Sequence, residues 1–297
     1  MKVFSTSAFG ETRTIITEDG VPQEIIIHRD LVLNFGDEVQ AKIGAFHPIL
    51  KGYFATTDRG DVFIPTNQHL TDGMLVSATI TKEARQDKVA TAHLRAEQNP
   101  PLKIDSEIPP ELADEIIADA ILPDVPFEGG GMLHIEKTHV CWTIDVDSGH
   151  NFDSLCNLNQ AAVPEINRQV RLKNMGGLIF VDFAGTKRLA AIKHIAEQFR
   201  DFWKNDPNTR VLGWTKAGLL EIERKRMRAD LWTTCAETNP INIYYRVLRA
   251  VDKCRLSHPV LMVSLPVFNL LKNHGMRIKV KPACDTPISY FKIEEEK

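Results

Sequence analysis

Two stretches of the sequence decide the fold: CWTIDVDSGH at residues 141–150 and MGGLIFVDFAGTKR at residues 175–188. Each contains an apolar, β-branched run that ends in a carboxylate, Asp145 in the first stretch and Asp182 in the second. Such a run predicts a buried strand that carries its acid to the rim of a sheet. The helical pattern between the two is long enough for a crossover, so the strands could lie side by side. Two adjacent carboxylates suit a hard divalent cation, and we expect Mg²⁺, with Mn²⁺ as an alternative.

The length and composition predict a protein of about two or three domains, because 297 residues with 43% hydrophobic content exceed one typical domain. The sequence has no long uncharged apolar stretch and no apolar signal core, so we expect a cytoplasmic protein without a membrane partner. The five cysteines form no CxxC pair, and we expect neither a disulfide framework nor zinc. No GxGxxG follows a predicted strand and no P-loop or HExxH motif occurs, so nucleotide cofactors and zinc hydrolysis lack support.

The distribution of charge indicates a polyanionic partner. The formal net charge is −3, but residues 160–230 hold 14 Lys and Arg against 8 Asp and Glu. Charge asymmetry of this kind favours phosphate binding, since Lys and Arg that neutralise phosphates release counterions. For any single one of these residues, a solvated helix face is the simpler interpretation.

Five short β-rich runs between residues 36 and 95 predict a small Greek-key barrel of the oligonucleotide-binding (OB) type. Phe54 and Phe63 fall on consecutive strands, and Lys82 and Lys88 bracket the last turn. Exposed rings beside lysines would form a stacking platform for single-stranded nucleic acid. From the residues alone, barrel core is slightly favoured over exposure for the two phenylalanines.

Turn signals and shifts of composition divide the rest of the chain. Residues 219–231 (LLEIERKRMRADL) are predicted to form a helix after the third strand of an α/β domain. The predicted parts are a β-hairpin region at 1–33, the barrel at 34–95, an acidic proline-rich linker with one helix at 96–128, a layered α/β domain at 129–231 and a small α/β domain at 232–297.

Three strings resemble the catalytic region of the ribonuclease E/G family, with matching spacing and no large gaps: residues 129–149, 158–183 and 215–226. Residues 53–65 and 81–94 are similar to the S1 barrel of the same family. The resemblance implies a multidomain α+β protein with an S1/OB-type barrel, a layered α/β (DNase I-like) catalytic domain and a small C-terminal α/β piece.

The resemblance also implies roles for individual residues. The family's two metal-holding aspartates match Asp145 and Asp182, and Asp147 stands where the family has an asparagine, so it could be a third ligand. The family's RNA contacts in the barrel match Phe54, Phe63, Lys82 and Lys88, which shifts the expectation for both phenylalanines toward exposure.

The expected function is Mg²⁺-dependent endonucleolytic cleavage of single-stranded RNA, in RNA processing or decay, leaving a 5′-phosphate and a 3′-hydroxyl. Basic residues of the turn and predicted helix at 215–231 would position the RNA backbone: Lys216, Arg224, Arg226 and Arg228. Two rival functions remain, an RNA-binding protein that has lost cleavage and a metal-dependent phosphoesterase acting on small nucleotides. For the aspartates, capping of a following loop or helix is the structural alternative.

Several departures from the family pattern limit what the resemblance implies. Gly185 replaces an acidic residue that usually follows the second aspartate, and the paired cysteines of a zinc link between protomers are absent. The segment that would carry a sensor for the RNA 5′ end is reduced to the acidic linker. We therefore expect any homo-oligomer to form without a zinc link, and we infer no 5′-end dependence.

Overall fold

The computed structural model describes residues 1–85, 88–94, 102–148, 154–185, 189–272 and 278–296, with side chains omitted at 189–192. It contains a closed five-stranded barrel, three open sheets and six helices in this part of the chain, which confirms a multidomain α+β architecture. No helix among the described residues has the length and hydropathy needed to cross a membrane.

The N-terminal sheet begins with a three-stranded meander of β1 (Lys2–Ala8), β2 (Glu11–Glu18) and β3 (Val21–Arg29). The predicted β-hairpin region at 1–33 therefore contains one strand more than a hairpin, because a turn at Phe9 and Gly10 precedes the turn at 19–20. Both residues have positive φ, 55° and 82°, as a tight hairpin turn requires. The sequence did not predict this turn, because Phe9 continues the strand-like pattern of the residues before it.

The barrel is built from five strands, as predicted: β4 (Glu38–His47), β5 (Gly52–Thr57), β6 (Gly60–Pro65), β7 (Leu75–Lys82) and β8 (Ala90–His93). They close in the order β4-β5-β6-β8-β7. Alternate residues such as Ile43, Val62 and Ile80 fill the interior, and their neighbours face outward.

The predicted linker is more structured than its composition indicates. It contains β9 (Ser106–Glu107), which pairs with β1, and α1 (Pro110–Ala120), whose apolar side packs on the N-terminal sheet. Its last strand, β10 (Asp124–Phe127), pairs with β11 (Gly131–Lys137) in the central sheet. The predicted boundary at residue 128 thus falls inside a hairpin.

The central sheet continues with β12 (Cys141–Asp147), β13 (Gly177–Asp182), β14 (Thr209–Trp214) and β15 (Leu220–Arg224). The strand order is β10-β11-β12-β13-β15-β14, and only β12 and β13 run parallel, through the crossover helix α2 (Leu155–Leu172). The helix predicted at 219–231 is wrong. Leu220 and Ile222 are buried while Glu221 and Glu223 are not, which is the two-residue period of a strand.

Helices cover one face of the central sheet. α2 and α3 (Leu189–Trp203) pack on it, with a core that includes Leu133, Ile144 and Val181. The residues that alternate with these buried ones point away from the helices, and we call that side the open face. Its members include Thr143, Asp145, Phe180, Asp182 and Glu221.

The C-terminal part forms a small α/β unit, as predicted. Its elements are α5 (Pro240–Asp252), β16 (Pro259–Ser264), α6 (Leu265–Leu271), β17 (Lys279–Ala283) and β18 (Phe291–Glu295), with strand order β17-β16-β18. The short helix α4 (Leu231–Cys235) precedes the unit and packs with the N-terminal sheet and α1.

A buried ionic cluster joins the N-terminal sheet to α5. The Glu11 carboxylate accepts hydrogen bonds from Arg13 Nε (2.8 Å), Arg29 Nε (2.7 Å) and Arg249 Nη1 (2.5 Å). Burial opposes ionisation, but the three guanidinium groups, Arg29 foremost, outweigh it and lower the pKa of Glu11. Removing one member of such a cluster leaves uncompensated buried charge, so the contact fixes how the two regions meet.

Candidate active site and RNA-binding surface

The two predicted metal-binding aspartates lie side by side. β12 and β13 are parallel neighbours, and their register pairs Asp145 with Asp182. Both side chains are exposed on the open face, at the carboxyl ends of their strands. Adjacent strands are about 4.8 Å apart, a separation that lets two carboxylates contact one cation.

His134 completes this corner of the open face, and sequence reasoning missed it. In β11 it is the register partner of Asp145, its Nδ1 lies 2.7 Å from Asp124 Oδ1, and its Nε2 lies 3.8 Å from Asp147 Oδ2. The hydrogen bond with Asp124 is the main cause that raises the pKa of His134. The β11–β12 hairpin could have revealed it, since a turn at 138–140 places residue 134 opposite residue 145.

The donor set at this corner fits magnesium better than a metal that needs a complete protein cage. No group of three or more His, Cys, Asp or Glu side chains in the described part of the chain is arranged to hold one ion. Mg²⁺ commonly takes one or two carboxylates and keeps several waters or phosphate oxygens. Asp145 and Asp182 meet that requirement, while Asp147, exposed beside His134, completes no three-ligand set.

A buried asparagine fixes the loop after Asp182. Asn159 of α2 donates through Nδ2 to the Ala184 carbonyl (2.8 Å), and its Oδ1 accepts from the Ala184 N–H (3.1 Å). The next residue, Gly185, has φ +61°, and a Cβ there would lie 2.5 Å from Leu155 Cδ1. The loop therefore favours glycine where the family has an acid.

The barrel presents an aromatic platform on its outer surface. Phe54 and Phe63 are register partners on β5 and β6, with ring centroids 5.3 Å apart. Phe54 is 38% exposed and Phe63 is half-buried, so both lie outside the barrel core, as the resemblance implies. His47 approaches Phe54 edge-on at 6.0 Å, and Gly52 leaves room for Phe63, whose ring would lie 2.6 Å from a Cβ.

A cleft of about 470 Å³ separates the barrel from the central sheet. The exposed Lys82 and Lys88 line it, together with Leu178 at the start of β13. Asp182 ends the same strand, four residues after Leu178, so it lies about 13 Å along the strand from the cleft.

The predicted basic residues at 215–231 divide into two groups. The three arginines are engaged within the protein, and each donates to a nearby group: Arg224 to Asn174 Oδ1 (2.9 Å), Arg226 to the Gly176 carbonyl (2.8 Å) and Arg228 to Glu24 Oε1 (3.2 Å). These contacts follow from the strand at 220–224, which replaces the predicted exposed helix. Arg224 and Arg226 nevertheless line the same cleft as Lys82 and Lys88, whereas Arg228 does not.

Lys216 belongs to the other group. It lies exposed in the turn between β14 and β15, and makes no ion pair within the described ranges. Because Leu220 pairs with Val181, this turn is at the same end of the sheet as Asp182. A phosphate at the aspartates would therefore be closer to Lys216 than to the three arginines.

Comparison with known proteins identifies the family. The Ribonuclease E/G family model matches residues 64–227. Ribonuclease G of Haemophilus influenzae is 27% identical over 191 residues, 62% of this chain and 38% of that protein. A chloroplastic ribonuclease E/G-like protein of Arabidopsis thaliana is 32% identical over 127 residues, 40% of this chain and 13% of that protein. Ribonuclease G of Escherichia coli is 33% identical over 124 residues, 39% of this chain and 25% of that protein.

The matched region of this chain therefore spans less than two thirds of these relatives' own length. The family model nevertheless extends over more than half of the 297 residues, from the third barrel strand to the end of the central sheet. On that match, the chain belongs to the ribonuclease E/G family.

Proposed function

We propose that this chain is a metal-dependent endoribonuclease that cuts single-stranded RNA in RNA processing or decay. The observation that carries the proposal is the register of Asp145 beside Asp182 on an open sheet face. The same molecule carries a partly exposed aromatic pair, Phe54 and Phe63, on an OB-type barrel. An acidic pair suited to a cation and a platform suited to bases are the two parts that such an enzyme needs.

Asp145 and Asp182 would hold Mg²⁺, or Mn²⁺ in its place. When bound, the cation would orient and activate a water for in-line attack and offset charge developing on the phosphodiester. Phe54 and Phe63 would stack on bases, which is sequence-tolerant because every base has a π-face. Because the attacking oxygen comes from water and not from the RNA, the products would be a 5′-phosphate and a 3′-hydroxyl.

Lysines at both ends of the path would contact phosphates. Lys82 and Lys88 line the cleft beside the barrel, and Lys216 lies at the aspartate end of the sheet. Such contacts fix the position of a nucleic acid without reading its sequence. A homo-oligomer without a zinc link remains a prediction.

A second candidate is an RNA-binding protein that has lost cleavage. It is favoured by the altered corner of the site, where Asp147 stands beside His134 and Gly185 replaces the family's acid. In that case the barrel would bind RNA while the aspartates served no reaction.

The two candidates separate in one experiment. A labelled single-stranded RNA is incubated with wild-type protein and Mg²⁺, with EDTA, and with Asp145→Asn or Asp182→Asn. Asp201→Asn, an exposed aspartate on α3 in the opposite layer, is the matched control. We expect Mg²⁺-dependent cuts only in wild type and the control, with 5′-phosphate ends. RNA binding without cuts under every condition would support the second candidate.

A further inference from the structure

An aromatic side chain on the open face has no role in the core. Phe180 lies between the buried residues Ile179 and Val181 of β13, so its ring points away from the helices. It is half-buried, does not belong to the central hydrophobic cluster, and makes no ring-ring contact with any described residue. A large ring in this position adds little to folding, and it leaves a π-face available.

Phe180 stands on the direct route between the barrel and the aspartates. Leu178, two residues earlier on the same face, lines the cleft with Lys82 and Lys88. Asp182, two residues later, is about 7 Å further along the strand. An RNA strand that leaves the barrel and reaches the aspartates along β13 therefore passes over Phe180.

The neighbour of Phe180 on strand β15 is an acid, Glu221. Glu221 of β15 is its register partner and is half-buried, and the Glu221 side chain makes no ion pair or hydrogen bond within the described ranges. The next acid on the same face, Glu223, is instead bound by Arg210. A carboxylate on an RNA path repels phosphates and accepts hydrogen bonds from exocyclic amino groups such as N4 of cytosine.

We propose that Phe180 is a base-stacking residue beside the aspartates and that Glu221 makes this position prefer a base with an exocyclic amino group over uracil. This inference rests on the proposed function, because it assigns a subsite to the same RNA path. Cytosine and uracil are the sharpest test pair, since they differ at C4 by an amino group and a carbonyl. The subsite would read a base edge, in addition to the sequence-tolerant stacking on the barrel.

The test uses the full chain in EDTA, so that binding is measured without cleavage. Fluorescently labelled oligocytidylate and oligouridylate of 12 nucleotides are titrated, and anisotropy reports binding. Phe180→Trp places a reporter on the path, and Phe202→Trp, the same substitution at an exposed phenylalanine of α3, is the matched control. Phe180→Leu removes the ring while keeping an apolar side chain, and Glu221→Gln removes the charge.

We expect oligocytidylate to quench the fluorescence of the tryptophan introduced by Phe180→Trp, over the same concentration range in which anisotropy reports binding. The fluorescence of the tryptophan introduced by Phe202→Trp should not be quenched. Phe180→Leu should bind oligocytidylate about 5-fold or more weakly, the lower end of the effect of losing one stacked base. Glu221→Gln should bring the affinities for the two oligonucleotides together.

Three results would overturn the inference: RNA bound by anisotropy with no quenching of Phe180→Trp, equal quenching of both tryptophan variants, or unchanged affinity in Phe180→Leu. A wild-type affinity for oligouridylate equal to that for oligocytidylate would overturn the role of Glu221. Failure of the proposed function looks different. Either no oligonucleotide raises anisotropy, which removes the subsite as well, or RNA binds and quenches normally but is not cut when Mg²⁺ is supplied.

Discussion

The half-buried carboxylate of Glu83 bridges the barrel and the segment after the central sheet, and its removal should be measurable. Glu83 follows the last residue of β7, and its oxygens accept hydrogen bonds from the Phe35 N–H (3.0 Å) and the Ala229 N–H (2.7 Å). Its own N–H donates to the Met227 carbonyl (2.9 Å). Phe35 precedes the barrel and Ala229 follows the central sheet, so one side chain bridges segments on both sides of the junction.

The expected cost follows from these two hydrogen bonds. Glu83→Ala leaves two N–H groups in the junction without their acceptor, at about 1–3 kcal/mol each. Burial raises the pKa of Glu83 although both N–H donors favour the charged carboxylate. The cost of desolvating that charge therefore offsets part of the stability that the two hydrogen bonds provide. We therefore expect a net loss of about 2–4 kcal/mol in the free energy of unfolding for Glu83→Ala. Glu83→Gln keeps one acceptor and should lose about 1–2 kcal/mol.

Urea unfolding followed by tryptophan fluorescence measures both variants against wild type. Glu18→Ala, which removes an exposed acid at the end of β2, is the control and should change stability by less than about 0.5 kcal/mol. If Glu83→Ala is as stable as Glu18→Ala, the two hydrogen bonds do not hold the junction and the reasoning fails. A loss for Glu83→Gln larger than for Glu83→Ala would also contradict it.

Two further predictions concern lysines. The Lys82→Ala/Lys88→Ala double variant should bind single-stranded RNA more weakly than wild type. The slope of log affinity against log salt concentration should become shallower by about 1.4, because two phosphate contacts are lost. An unchanged slope would exclude those contacts. Lys173, which is fully buried and donates to the Ala120 carbonyl at 2.6 Å, has its pKa lowered by burial from 10.5 to about 8. Between these pH values the unfolded chain binds more protons than the folded chain, so the free energy of unfolding relative to that of Lys173→Met should rise with pH, by up to about 3 kcal/mol from pH 8 to 10.5. Calorimetric scans of both proteins across that interval check the sign. A difference in stability between the two proteins that falls or stays constant with pH would contradict the prediction.

The parts of the fold that follow from local patterns could be predicted from the sequence. The barrel was found because its strands are separated by turn residues, and its interior positions alternate with exterior ones. The pairing of Asp145 with Asp182 follows from two strands and a crossover helix, an arrangement with few alternatives. Both are cases in which local pattern and global topology agree.

The remaining features depend on contacts that a linear pattern does not contain. The segment at 219–231 contains helix-forming residues, but the sheet buries Leu220 and Ile222 and makes a strand. That change of element also moves Arg224 and Arg226 into internal contacts. The sequence did not indicate His134 and Glu221 as site residues, because it does not show which residue lies opposite each of them on the neighbouring strand.

The cluster around Glu11 has a consequence for any shortened form of this protein. Arg249 stands 238 positions after Glu11, yet it donates directly to the same carboxylate as Arg13 and Arg29. A fragment that ends before α5 would keep the guanidinium groups of Arg13 and Arg29 and lose the third. The N-terminal strands and α5 therefore stabilise each other through one carboxylate, and trimming either side alone leaves the other with uncompensated buried charge.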